Sequence, residues 1–313
     1  MSMKRRWCAA IACAVGLLGC SHKKTYTAEQ YFHEANRNFR DGTYYIALEQ
    51  FRDLIDQFPF SQFNEEAELK IAHANYLSGN YTEAIVAFTD FQRRHPTSPN
   101  LAFVGYYLGM CYAKQMDAID RDQGAAQNAQ NVFLTVIQQY PDSPFADLSR
   151  EELARCRRKL AEHELYIARY YAKRKNNRAA EIRLLTLASR YGDTDAAADG
   201  LLRLASMYRR DKRNDDAMLA YLVIEQQRPG SVQAGMARSA IEQLAASGEP
   251  PENGGDPLEL LLAANGRQRG GGSTEFVQVP GLEPAQSARR PGGGGAMPGR
   301  GAAYDPFGRG RPY

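Results

Sequence analysis

Residues 44–59 read Tyr-Tyr-Ile-Ala-Leu-Glu-Gln-Phe-Arg-Asp-Leu-Ile-Asp-Gln-Phe-Pro, and this stretch holds the pattern that decides the fold. Ala47 is followed by Phe51 four residues later and by Leu54 seven residues later. This spacing places the three apolar side chains on one face of an α-helix. Pro59 ends the helix, because a proline disfavours the α conformation in the residue before it. The stretch therefore predicts an amphipathic helix with one small residue, a bulky apolar face and a defined end.

The same pattern recurs four more times along the chain. In each copy an alanine stands twelve residues ahead of a proline or a glycine: Ala84 before Pro96, Ala129 before Pro141, Ala180 before Gly192 and Ala217 before Pro229. Each of these helices is preceded by a further small residue: Ala35, Ala72, Gly109, Ala168 and Ala205. Recurrence with a period of 37 residues, as from Ala35 to Ala72, marks stacked repeats in which no unit buries its apolar face alone.

The repeat resembles the tetratricopeptide repeat, whose signature is Gly/Ala…Ala…Phe…Pro. We therefore predict an all-α fold, an α-solenoid of five tetratricopeptide-like helix pairs within residues 27–246. The predicted repeats cover approximately residues 27–60, 64–97, 101–142, 144–192 and 196–230, with a capping helix at 232–246. Extra residues inside the third repeat predict a solvated loop near Met116–Gln123. Further extra residues between Pro141 and Ala168 predict one long helix from about Pro144 to Arg174.

The N-terminus predicts export and lipid attachment. Lys4, Arg5 and Arg6 precede an apolar stretch that is too short to serve as a membrane anchor. It ends in Leu17-Leu18-Gly19-Cys20, which resembles a bacterial lipobox. We expect residues 1–19 to be a signal peptide, Cys20 to be lipidated, and residues 20–26 to be a linker. Ser21 in place of an aspartate favours the outer membrane. The alternative is an ordinary secretory signal with a coincidental cysteine.

The C-terminal region has a different composition. Residues 247–313 are rich in glycine, proline and arginine, which predicts a disordered tail because too little apolar area is available to offset chain entropy. Two short apolar segments interrupt it. Leu258–Ala264 is long enough for one or two helical turns, and Glu275–Val279 could add as a strand to the edge of a partner's sheet.

Catalytic and metal-binding patterns are missing from the sequence, so we predict no enzyme, no metal and no cofactor. The cysteines left after signal removal and lipidation, Cys111 and Cys156, are interpreted as small packing residues. The formal net charge is only +3, which argues against nucleic acid as the main partner. A basic cluster at residues 155–183 contains interleaved glutamates. It is either a solvated, ion-paired helix face or a docking face for an acidic partner.

The tetratricopeptide resemblance implies a binding groove along the first helix of each pair. It assigns the groove of the first three repeats to mostly aromatic positions: Phe32, Asn36, Phe39, His73, Tyr76, Phe103 and Tyr106. Aromatic residues there suit an extended peptide with alternating apolar or aromatic side chains. The alternative is that several of them pack between the repeats.

Longer motifs resemble the BamD family, lipoproteins of the outer-membrane β-barrel assembly machinery. They are Tyr44-Tyr45-x-Ala47…Phe51 with Phe58-Pro59, Ala84…Phe88-x-x-Phe91 with His95-Pro96, Arg121-Asp122-Gln123, Gln139-Tyr140-Pro141-Asp142-Ser143-Pro144, and Ala168-x-Tyr170-Tyr171. The resemblance covers roughly residues 20–230.

The resemblance implies a protein anchored on the periplasmic face of the outer membrane by acylated Cys20. It implies three kinds of protein partner: the POTRA domains of the barrel insertase, other assembly lipoproteins, and the C-terminal targeting strands of unfolded outer-membrane proteins. The strands would enter the N-terminal groove. The insertase would dock on the C-terminal repeats near Lys173, Arg174, Arg178, Tyr191 and Asp193.

Two other functions fit the same features. A pilotin-type lipoprotein, also built of these repeats, would carry a secretin to the outer membrane. A cell-envelope scaffold would use the arginine-rich tail to contact peptidoglycan or division proteins.

Replacing Cys20 by serine tests the lipid anchor. We expect Cys20→Ser to move the protein from the membrane fraction to the soluble fraction, because the acyl chains supply the stable membrane affinity. The measurement is immunoblotting of detergent-free fractions, with Cys111→Ser as the matched control that leaves the lipobox intact. Retention of the Cys20→Ser protein in the membrane would contradict lipidation at this residue.

Overall fold

The computed structural model describes residues 26–246 and 255–267. Within these ranges α-helix is the only regular secondary structure, which confirms the predicted all-α class. The chain divides between Ala87 and Phe88 into two compact units. The signal peptide, Cys20 and the Glu275–Val279 segment lie outside the described residues.

The described residues form twelve helices, numbered here in chain order. They are α1 Ala28–Arg40, α2 Tyr44–Gln57, α3 Asn64–Leu77, α4 Tyr81–Arg94, α5 Leu101–Lys114, α6 Gly124–Gln139, α7 Pro144–Lys173, α8 Asn177–Tyr191, α9 Asp195–Arg210, α10 Asn214–Gln227, α11 Val232–Ala245 and α12 Pro257–Arg267. Successive helices pack as pairs, so α1 lies against α2, α5 against α6, and α9 against α10.

The first unit opens with a capped helix. The Thr27 hydroxyl accepts a hydrogen bond from the backbone N–H of Gln30, while the Gln30 side chain accepts one from the backbone N–H of Thr27 at 3.0 Å. This reciprocal pair satisfies two of the donors that a helix start leaves open. The turn to α2 passes through Gly42, whose φ of +79° suits glycine.

The core of the first unit shows why the small residues recur. Ala35 of α1 and Ala47 of α2 are completely buried, as are Phe51 and Leu54 one and two turns further along α2. The predicted apolar face of residues 44–59 is therefore the face that packs. Alanine at these positions allows the two helices to approach closely, and the phenylalanine and leucine fill the remaining space.

The second unit uses glycine for the same purpose where α5 packs on α6. A Cβ atom on Gly109 would lie 2.5 Å from Cε1 of Phe133, and one on Gly105 would lie 2.6 Å from Cγ2 of Val136. Both distances are shorter than van der Waals contact. The third repeat has a glycine, Gly109, at the position where the other four repeats have an alanine. The reason is that the large Phe133 ring lies opposite it and leaves no room for a methyl group.

Helix α7 is a single helix of 30 residues, so the predicted long helix is confirmed. Ser143 caps its start by accepting from the N–H of Phe145 at 3.3 Å, and Pro144 occupies the first turn, where proline is tolerated. At 1.5 Å per residue the helix is about 45 Å long. No helix in residues 26–246 or 255–267, this one included, is both long and apolar enough to cross a membrane.

The loop between α5 and α6 is largely exposed, but it is fastened at two points. The buried side chain of Gln123 donates hydrogen bonds to the carbonyl oxygens of Ala118 and Arg121, at 2.9 and 3.0 Å. The Nδ1 atom of His163 in α7 lies 2.6 Å from the carbonyl oxygen of Ile119. The loop that the sequence predicts as solvated is therefore tied to the long helix.

The C-terminal end of the fold extends further than the sequence predicts. Helix α11 packs on α10, as expected of the capping helix. Helix α12, Pro257–Arg267, also packs on α10 and contacts α8, with Leu261 completely buried. The segment that was expected to make one or two turns within a disordered tail is thus a three-turn helix of the packed fold. Burial of apolar area by its leucines stabilises this helix against the rest of the fold.

Two glycine-to-alanine substitutions test the close crossing. Gly109→Ala should lower the free energy of unfolding by about 1 kcal/mol or more, because overpacking against Phe133 costs roughly 1–3 kcal/mol and outweighs the better helix propensity of alanine. The control is Gly235→Ala in α11, where a Cβ meets nothing within 4 Å. It should stabilise the helix by about 0.5–1 kcal/mol. Chemical denaturation followed by circular dichroism measures both, and equal effects would show that the crossing tolerates a methyl group.

Candidate docking surfaces

The two cysteines in the described part of the chain are buried within the helices. Burial raises the pKa of the Cys111 thiol to about 12 and that of Cys156 to about 11, so both stay protonated near neutral pH. Both are free and buried, as packing residues are. Among the described residues, no group of three or more His, Cys, Asp or Glu side chains could hold a metal ion.

The predicted groove residues of the first unit are mostly part of its core. Phe32 is 8% exposed and stacks on Phe63 of the α2–α3 turn, with ring centroids 4.7 Å apart. Phe39 is 1% exposed and lies between Tyr44 and His73, with both ring-centroid distances at 5.7 Å. His73 is itself buried. These three side chains pack between helices, which was the alternative to a groove role.

Two predicted groove residues of the first unit, Asn36 and Tyr76, remain partly exposed. The same unit contains Lys70, a buried cation that the sequence analysis did not identify. Its Nζ atom is 5.0 Å from the centroid of the Phe39 ring and 3.6 Å from Oε1 of Glu66. The i,i+4 spacing of Glu66 and Lys70 was the only sequence signal for this pair.

The two predicted groove residues of the second unit, Phe103 and Tyr106, also differ in exposure. Phe103 is buried and lies edge-on to Phe145 of α7, with ring centroids 5.5 Å apart. Tyr106 is partly exposed and contacts Phe145 at 5.7 Å and Phe133 at 6.1 Å. The start of the long helix therefore covers Phe103. The proposed groove role of Tyr106 stays a prediction.

The loop between α8 and α9, residues 191–195, is a turn held by charged side chains, and we call it the Asp193 turn. Arg157 of α7 donates to both carboxylate oxygens of Asp193, one of them at 3.0 Å, and to the carbonyl oxygen of Arg190 at 2.9 Å. The same guanidinium lies 5.5 Å from the centroid of the Tyr191 ring. A two-pronged arginine–carboxylate contact fixes orientation as well as distance.

A second arginine fastens the other side of the Asp193 turn. Arg228, at the end of α10, donates to the carbonyl oxygen of Asp193 and to the carboxylate of Asp195. Although partial burial alone would raise the pKa of Asp193, the hydrogen bond and charge of Arg157, with a contribution from Arg228, lower that pKa below its ordinary value. The turn is therefore anionic and ordered at neutral pH.

The predicted docking residues do not form one patch. Lys173 and Arg174 lie at the end of α7 and Arg178 lies in the first turn of α8, whereas Tyr191 ends α8 and Asp193 follows it. A helix of 15 residues separates the two groups by about 20 Å. Arg174 is exposed and lies over the ring of Tyr170 at 4.6 Å, whereas Tyr191 is buried. The docking role of these residues stays a prediction.

A buried ionic network that the sequence analysis missed joins α8, α9 and α10. Glu181 is 6% exposed and accepts hydrogen bonds from the Tyr208 hydroxyl at 2.8 Å, from Arg213 at 3.0 Å and from Arg178 at 3.0 Å. Burial first, and then the adjacent Glu181 carboxylate, raise the pKa of Tyr208. Arg213 also pairs with Asp216 at 2.7 Å. Residues 32 positions apart meet here, so local spacing could not reveal the network.

Comparison with known proteins assigns this chain to a protein family. A family model described as YfiO, outer membrane lipoprotein, matches residues 24–221. The chain belongs to this family. The match covers both units, from the start of α1 into α10, and it confirms the resemblance to the BamD family that the sequence motifs indicate.

Relatives of this YfiO-family chain are known in several bacteria. The outer membrane protein assembly factor BamD of Pasteurella multocida is 28% identical over 225 residues, covering 68% of this chain and 86% of the relative. The protein of the same name in Caulobacter vibrioides is 28% identical over 231 residues, covering 71% and 75%. A solved tetratricopeptide repeat protein of Parabacteroides merdae overlaps 77% of this chain and 86% of its own, with 14% identity and a TM-score of 0.36.

Replacing Asp193 by asparagine tests the charged turn. Asp193→Asn should lower the free energy of unfolding at pH 7 by roughly 0.5–1 kcal/mol, since the pair with Arg157 is partly exposed. Because the folded-state pKa is lowered, the carboxylate stabilises the fold above the pKa of an unfolded aspartate, about 3.9, and less as the pH falls through the folded value. The two proteins should therefore converge in stability below about pH 4. Urea denaturation from pH 7 to pH 3 measures this.

The control for that experiment is Asp142→Asn, at an exposed residue with no ion pair among the described residues. It should leave the stability unchanged within about 0.5 kcal/mol over the same range. An Asp193→Asn deficit that persists unchanged at pH 3 would show that the carboxylate charge is not what holds the turn.

Proposed function

We propose that this chain is a component of the outer-membrane β-barrel assembly machinery, anchored to the periplasmic face of the outer membrane by acylated Cys20. The observation that carries the proposal is the family match over residues 24–221, which spans both units. The names of the relatives, outer membrane protein assembly factor BamD, support the role in assembly. No catalysis is part of this function.

The second unit is proposed to bind the POTRA domains of the barrel insertase. The Asp193 turn supports this role because it is held by two arginines and therefore offers a fixed shape to a partner. The junction of α7 and α8, with Lys173 exposed, offers a second contact about 20 Å away. Two separate contacts suit a folded domain better than a short peptide, since a standard protein interface spans about 800 Å² on each partner. Other assembly lipoproteins would bind elsewhere on the chain.

The first unit is proposed to receive the C-terminal targeting strands of unfolded outer-membrane proteins. The partly exposed Asn36 and Tyr76 would make the contacts, and Tyr106 would do so in the second unit. A tyrosine ring offers a large apolar surface at low entropic cost, which suits strands with alternating aromatic side chains. The buried Phe32, Phe39 and Phe103 would support these contacts from within.

Site-specific photocrosslinking in cells tests both contacts. A photoreactive phenylalanine in place of Lys173 should yield an adduct with the barrel insertase, and one in place of Tyr76 should yield adducts with unfolded outer-membrane proteins. Adducts form only within contact distance, so each position reports its own partner. The readout is immunoblotting and mass spectrometry of the adducts.

Matched controls lie on the same units. Tyr45 of α2 is 73% exposed and aromatic, and Glu151 of α7 is exposed on the same helix as Lys173. Neither control position should give the adducts. Recovery of a secretin from Lys173 without the insertase would instead support a pilotin. Loss of cell division but not of barrel assembly on deletion of residues 247–313 would support an envelope scaffold.

A further inference from the structure

An open cleft of about 400 Å³ lies between the C-terminal half of α7 and α9, within the second unit. Four cations line it: Arg169 and Lys173 from α7, and Arg203 and Arg210 from α9. All four side chains are exposed, and no carboxylate is among the lining residues. The floor is apolar where Met207 and Ala172 lie. The formal charge of the whole chain is only +3, so positive charge is concentrated here.

Most of the positive charge in the cleft is not neutralised by a neighbouring carboxylate. Among the described residues, Arg169, Lys173 and Arg203 have no carboxylate within salt-bridge distance, and Arg210 meets only the exposed Asp211, at 3.7 Å. Within the basic cluster, Arg155, Arg157 and Arg183 each pair with an acid. Arg158, Lys159 and Lys175 have no such pair among the described residues, but they lie outside the cleft, so what distinguishes the cleft cations is that they line one opening. Like charges that face one another without counterions destabilise the fold slightly, so the fold itself does not account for them.

Favourable interaction with a helix dipole explains only two of the four cations that line the cleft. Lys173 and Arg210 are the last residues of α7 and α9, where cations favourably meet the negative helix end. Arg169 lies just outside the last turn and Arg203 lies two turns earlier, beyond the range of that effect. These two arginines point to a ligand.

We propose that this cleft binds an acidic polypeptide segment of a partner protein through the carboxylates of its aspartate or glutamate side chains. The spacing of the cations favours a chain over a compact anion. Arg169 and Lys173 are one turn apart, about 6 Å along the axis, and Arg203 and Arg210 are about 10 Å apart. Side chains on one face of an extended peptide recur every 6.6–6.8 Å or so, which is close to the separation of Arg169 and Lys173. A single phosphate would be held by donors that converge on one point.

The chemistry of the lining also suits carboxylates. Guanidinium groups bind carboxylates with two parallel hydrogen bonds, and three of the four cations are arginines. The apolar floor can accept the methylene groups of glutamate. Lys173 is shared with the proposed insertase contact, whereas Arg169, Arg203 and Arg210 lie outside it. The site goes beyond the proposed function because its occupant is identified by its acidic side chains, and the peptide test does not require the insertase.

Fluorescence anisotropy with fluorescein-labelled hexaglutamate tests the cleft, using the full chain in non-ionic detergent. The wild-type protein should bind the peptide, and added salt should weaken the binding. Arg169→Gln with Arg203→Gln should weaken it roughly tenfold, as expected for the loss of two partly exposed charge contacts. Arg169→Glu with Arg203→Glu should weaken hexaglutamate binding further, because the four lining positions then carry no net charge. Circular dichroism checks that each variant is folded.

The matched control removes the same charge from the same two helices. Arg158 of α7 and Arg209 of α9 are exposed and lie outside the cleft, so Arg158→Gln with Arg209→Gln should change the affinity less than twofold. Equal losses from both pairs of substitutions would overturn the proposal by showing non-specific attraction. Binding to phosphatidylglycerol vesicles or to inorganic phosphate without binding to hexaglutamate would overturn it in favour of a phosphate site.

Discussion

Close approach of paired helices at small residues is the constraint on which this fold depends. Ala35 and Ala47 are completely buried in the first unit, and a methyl group on Gly109 would collide with Phe133 in the second. In the second unit, Gly109 faces Phe133 and Gly105 faces Val136 on the neighbouring helix. Since packed interiors have few voids, the small residue sets the distance between the helices and the large one fills the space that is left. The rest of each unit is arranged around these contacts.

Charged side chains do a different job in the second unit. Hydrophobic packing is not directional, so it fixes the distance between helices better than it fixes the turns that join them. Arg157 and Arg228 hold the Asp193 turn from two sides, and Glu181 joins three helices through Arg178, Tyr208 and Arg213. The Glu181 contacts are buried and therefore costly to break singly, because the remaining partner is left unpaired. They therefore restrict the turns to one geometry.

The sequence predicted what depends on periodicity and missed what depends on distant neighbours. The long helix Pro144–Lys173 was predicted because extra residues in whole turns keep an apolar face in phase, and the apolar face of α2 follows from the spacing of Ala47, Phe51 and Leu54. The burial of Phe103 was not predictable in this way, because Phe145 of another repeat covers it. The Glu181 network and the docking of α12 also join residues far apart in the chain.

The two charged regions of the second unit differ in how a partner would have to approach them. In the Asp193 turn the carboxylates of Asp193 and Asp195 already accept from arginines, so a ligand that paired with either group would first have to displace an internal partner. A partner of this turn would therefore recognise its fixed shape rather than an unpaired charged group. In the α7–α9 cleft, Arg169 and Arg203 have no carboxylate partner among the described residues, so an incoming acid displaces only water and counterions. Charge attraction therefore acts at a longer range on the cleft than on the turn, and the cleft is the better placed of the two to make the first contact with an acidic partner.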